Sequence, residues 1–69
     1  MLYRVEIQRA PGTMTRVMGE IREWLDAKRF EPDSFRCVTD ADGIVFRLEF
    51  RSESQAQACA QRFEARLAF

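Results

Sequence analysis

The chain has 69 residues, with eleven lysines and arginines set against eleven aspartates and glutamates, and no histidine. A single core of this size contributes only about 3 to 5 kcal/mol, so association with another chain is the expected further source of stability. The balanced charge speaks against a dedicated nucleic-acid or anionic-membrane binder, since both need a basic excess on one face.

From the N-terminus, Tyr3, Val5 and Ile7 alternate with Arg4, Glu6 and Gln8, the period of a strand with one buried and one wet face. This predicts strand one from Leu2 to Arg9. The same alternation lacks the apolar run of a signal peptide or membrane span, which predicts a cytoplasmic product. Pro11-Gly12 interrupts regular structure, and Thr13 is the expected N-cap of the helix that follows. Met14, Val17, Met18, Ile21, Trp24 and Leu25 recur at three- and four-residue steps and form the apolar stripe of about four turns. Arg16 with Glu20 and Arg22 with Asp26 are four apart on its wet side.

Pro32, after Phe30-Glu31, marks the far side of the connection that follows, because a proline there cannot continue the helix. Strand two is predicted near Ser34 to Thr39, with Phe35, Cys37 and Thr39 inward and Arg36 and Val38 outward. Asp40-Ala41-Asp42-Gly43 is hairpin chemistry, because Asp-Gly supplies a positive-φ position. In strand three Ile44, Phe46, Leu48 and Phe50 share one face, and Val45, Arg47, Glu49 and Arg51 the other. Ser52 and Gln55 fit a capping box that opens a second helix with the stripe Ala56, Cys59, Ala60, Phe63 and Leu67. The chain reaches Phe69 before a fourth strand is expected.

These elements predict an α+β fold of order β-α-β-β-α, one domain over 1–69. Two helices lie on one face of a three-stranded antiparallel sheet, a ferredoxin-like plan lacking its fourth strand. The right-handed crossover rule places strand three between strands one and two, giving the order 1-3-2. Strand one is then an open edge, and Arg4, Val5, Glu6 and Ile7 become the expected interface for a homodimer or another protein.

Chemistry has little to build on. Without histidine or a nucleophile motif, and with no phosphate-cradling glycine loop, a non-enzyme is expected, without cofactor or metal. The Asp40 to Gly43 loop partly matches a calcium loop, but Val38 stands at the first ligand position and strands flank it, so a hairpin is expected. Cys37 and Cys59 fall outside zinc-type spacing and are expected to be reduced, structural side chains. The outward sheet face carries arginine and glutamate and lacks the aromatic rings of an RNA-binding sheet, which predicts a cross-strand charge lattice.

Arg9-Ala10-Pro11-Gly12-Thr13-Met14-Thr15-Arg16-Val17 resembles the strand, Pro-Gly turn and helix start of ACT domains, small regulatory modules that bind amino acids. The resemblance implies a small-molecule sensor in which Gly12 exposes backbone amides to the ligand. The chain departs from that family at Arg9-Ala10, where an acidic residue is frequent, and in the expected number of strands. An interaction module and an ACT-like sensor are therefore the two functional expectations.

Overall fold

A computed structural model describes residues 1–68, and Phe69 lies outside the described residues. The elements are β1 (Tyr3–Arg9), α1 (Met14–Lys28), β2 (Ser34–Asp40), β3 (Gly43–Phe50), α2 (Glu53–Phe63) and β4 (Arg66–Ala68). The strands form one antiparallel sheet in the order β2-β3-β1-β4. β3 sits between β1 and β2, as the crossover rule predicts.

The expected three-stranded sheet is corrected to four. Sequence periodicity carries α2 through Leu67, whereas the helix ends at Phe63 and Glu64 turns left-handed at φ 51°. The Ala65 amide then donates to the Ala60 carbonyl at 2.8 Å, closing the helix end without a glycine. The chain emerges extended, and Leu67 stands opposite Val5 on β1. Leu67 still packs against the core, from a strand rather than a helix.

One hydrophobic cluster joins the two layers. Val5 and Ile7 of β1, and Ile44, Phe46, Leu48 and Phe50 of β3, meet Val17, Ile21 and Leu25 of α1 and Ala56, Cys59, Ala60 and Phe63 of α2. All of these strand residues lie on one sheet face, so both helices cover that face and leave the other open. Trp24, expected within the buried stripe, is only half-buried: it rests edge-on against Phe30 and Phe63, at 5.5 and 5.6 Å between ring centroids. Thr39 keeps the expected inward phase, opposite buried Ile44, but is exposed near the end of β2.

The caps differ in detail from expectation. Thr13 occupies the N-cap of α1, but its hydroxyl donates to the Ala10 carbonyl at 2.7 Å and caps no helix amide. Ser52 does accept from the Gln55 amide, at 3.4 Å. Neither helix-face pair of α1, Arg16 with Glu20 or Arg22 with Asp26, is among the ion pairs of the described residues.

Candidate functional site

Three places in the fold could meet another molecule: the β1–α1 turn, the open sheet face and the sheet edges. The turn is set by Gly12, whose φ of 83° suits glycine and whose missing Cβ would meet nothing within 4 Å. No atom of the chain crowds this position, and the positive φ of the turn accounts for glycine there. Nearby, Gln8, Arg9 and Ala10 meet Asp40, Asp42 and Gly43 across a shallow cleft of about 400 Å³. Arg9 is not free to bind a ligand there. Its guanidinium donates to the Phe63 and Gln8 carbonyls, each at 2.7 Å. The first bond ties the end of β1 to the last turn of α2, where a cation suits the exposed carbonyls. A lone arginine at a strand end carries no sequence signal for this clamp.

The Asp40 to Gly43 segment is a hairpin turn, with Asp40 paired to Gly43. Asp40 Oδ1 accepts the amides of Asp42 at 2.8 Å and Gly43 at 3.1 Å, so one carboxylate oxygen shapes the turn. Among the described residues no cluster of histidine, cysteine, aspartate and glutamate could hold a metal ion.

The open face bears the charge lattice expected from the alternation. Register places Arg4 opposite Glu49 and Glu6 opposite Arg47, and both pairs meet, at 3.7 and 2.9 Å. These pairs are partly exposed, so each is worth at most about 1 kcal/mol. Arg36 extends the row from β2, directly opposite Arg47, while Arg66 extends it from β4, opposite Glu6. Arg36 has no carboxylate: it takes part in none of the ion pairs or side-chain hydrogen bonds of the described residues.

The edges depart most from the sequence reading. Arg4, Val5, Glu6 and Ile7 are expected to form an open edge, yet from Arg4 to Glu6 the strand is paired on both sides, with β3 and with β4. The side chains of Val5 and Ile7 are fully buried beneath the helices. The edge that remains long is β2, seven residues matched to β3 residue for residue without a bulge. The opposite edge is β4, three residues long. On the helix side of β2, Phe35 floors a groove of about 290 Å³ walled by Leu25, Phe30 and Pro32.

Cys37 and Cys59 are free thiols, the first half-buried and the second fully buried on α2. Burial pushes the Cys59 thiol up from 9.0 to about 12. The folded chain therefore keeps this proton at a pH where the unfolded chain releases it. Its contribution to stability is intact below about pH 9 and is lost progressively as pH rises toward about 12. Urea denaturation is expected to show wild type losing more stability from pH 9 to 11 than Cys59→Ala. Equal losses would show that Cys59 is not the group responsible.

Among the described residues no helix is long and apolar enough to cross a membrane. Comparison with protein-family models, curated proteins and solved structures returns no match, so geometry alone bears on what this chain does.

Proposed function

We propose that the chain is a non-enzymatic interaction module that works as a homodimer, built on a ferredoxin-like plan completed by β4 and assembled through a free edge of its sheet. One observation carries this reading: the two edges are unequal. β4 is blunted by its shortness, a common way of closing an edge. Over Ser34–Asp40, β2 has no proline, no bulge and no charged residue among its core-side Phe35, Cys37 and Thr39. Half of its backbone amides and carbonyls have no strand to meet them. A second strand satisfies them, and a copy of the same strand does so symmetrically, by antiparallel pairing about a twofold axis. The fourth strand thus moves the expected contact from β1 to β2.

Sedimentation at micromolar concentration is expected to find a dimer, with β2 amides protected from hydrogen exchange. A strict monomer, in which the outward-facing half of the β2 amides exchange as fast as those of the Asp40 to Gly43 turn, would overturn the reading.

A further inference from the structure

Of the alignments centred on Arg36, Cys37 or Val38, which pair most of β2, only one gives the unpaired Arg36 a carboxylate. In an antiparallel continuation, side chains stay on their own faces only if residues of the same parity stand opposite one another, which leaves few alignments. Centring the twofold axis on Arg36 opposes two arginines that each already stand opposite Arg47 of β3. Centring it on Cys37 places Arg36 against the partner's Val38 and still provides no carboxylate. Centring it on Val38 places each Arg36 opposite the partner's Asp40. In the same alignment Val38 meets its own copy, and Cys37 meets Thr39.

We propose that two copies of this chain pair through β2 about Val38, with two Arg36–Asp40 ion pairs flanking a Val38–Val38 contact. The proposal rests on the homodimer reading and adds its register. Three features of the single chain support it. Arg36 stands opposite Arg47 in the register, a like-charge cross-strand pair that favours an acid on its other side. Asp40 devotes one carboxylate oxygen, Oδ1, to the turn amides, leaving Oδ2 directed to no bond among the described residues. Val38, at 45% exposure, is the most exposed large apolar side chain on any strand, and pairing covers it. A twofold axis normal to the sheet keeps both helix layers on one side. The partner's helices therefore come to the same side of the edge as the groove floored by Phe35.

Introducing Val38→Cys in a Cys37→Ser background tests the register, because the new thiol would face its own copy while Cys59 stays buried. Mild oxidation is expected to convert most of the protein to a disulfide-linked dimer that survives denaturation without reductant, whereas oxidised wild type denatures to single chains. A dimer in sedimentation that does not link at position 38, or a wild type that links through Cys37, overturns the register and leaves self-association standing. A strict monomer overturns both. Arg36→Glu gives an independent readout. It places like charges opposite each other twice per dimer, and the dissociation constant should rise by at least about tenfold. Meanwhile the thermal midpoint of the isolated chain holds or rises, since glutamate then faces Arg47. An unchanged dissociation constant would overturn the Arg36–Asp40 contact.

Discussion

Phe46→Ala is expected to lower stability by about 3 to 5 kcal/mol and to leave a large fraction of the chain unfolded at room temperature. Phe46 lies in the middle of β3, opposite Ile7 on one side and Cys37 on the other, and has no exposed surface. Its ring meets Phe35 edge-on at 6.4 Å between centroids. Removing it opens a cavity in the packed cluster between the sheet and the two helices, which cannot collapse without shifting one layer against the other. Chemical denaturation monitored by far-ultraviolet circular dichroism gives the value directly. A loss below about 1 kcal/mol would mean that β3 does not present this face to the helices.

Gly43→Ala is the second large effect. Gly43 starts β3 at φ 150°, and a Cβ built there would lie 2.6 Å from the Arg9 carbonyl oxygen and 3.9 Å from Pro11 Cδ. The first contact is with backbone, so relief requires β1 and β3 to separate where Arg9 pairs with Ile44. Backbone strain and overpacking each cost about 1 to 3 kcal/mol, and together a loss of roughly 2 to 4 is expected. Gly19→Ala is the matched control. Gly19 lies within α1 with nothing within 4 Å of its Cβ position, so alanine there is expected to be neutral or stabilising by up to about 1 kcal/mol. Equal melting temperatures for the two variants would refute the close approach of Arg9 to Gly43.

The alternation of Ile44, Phe46, Leu48 and Phe50 is a strong signal because β3 is central and flanked by strands on both sides. All four residues are buried. The α1 stripe is legible for a similar reason, with Val17, Ile21 and Leu25 buried at four-residue steps. β4 is not legible. Leu67 follows Phe63 by four residues and so continues the helical period, and nothing at Glu64 marks a stop. A left-handed glutamate is a conformation that glycine adopts more easily, and here tertiary pairing with β1 outweighs that local preference. The error spreads from there. Once β4 is lost to the helix, β1 must be read as an edge, and Arg4, Val5, Glu6 and Ile7 become a surface instead of a centre. The Arg9 clamp is equally hidden, since its partner is a main-chain carbonyl far along the chain.

The β2–β3 hairpin has a kinetic consequence. It is the one neighbouring pair of strands joined by a tight turn; β1 finds both of its partners only after most of the chain has passed. Loop closure makes such distant pairings slow, whereas the hairpin can close within microseconds. β1 precedes β3 and β4 in the chain, so Val5 and Ile7 stay exposed through α1 and the hairpin before β3 can shelter one side of the strand. Only when Leu67 arrives opposite Val5 is its other side covered. The strand that precedes the others of this sheet is thus the last to be enclosed, and that interval is when misassociation between copies is most accessible.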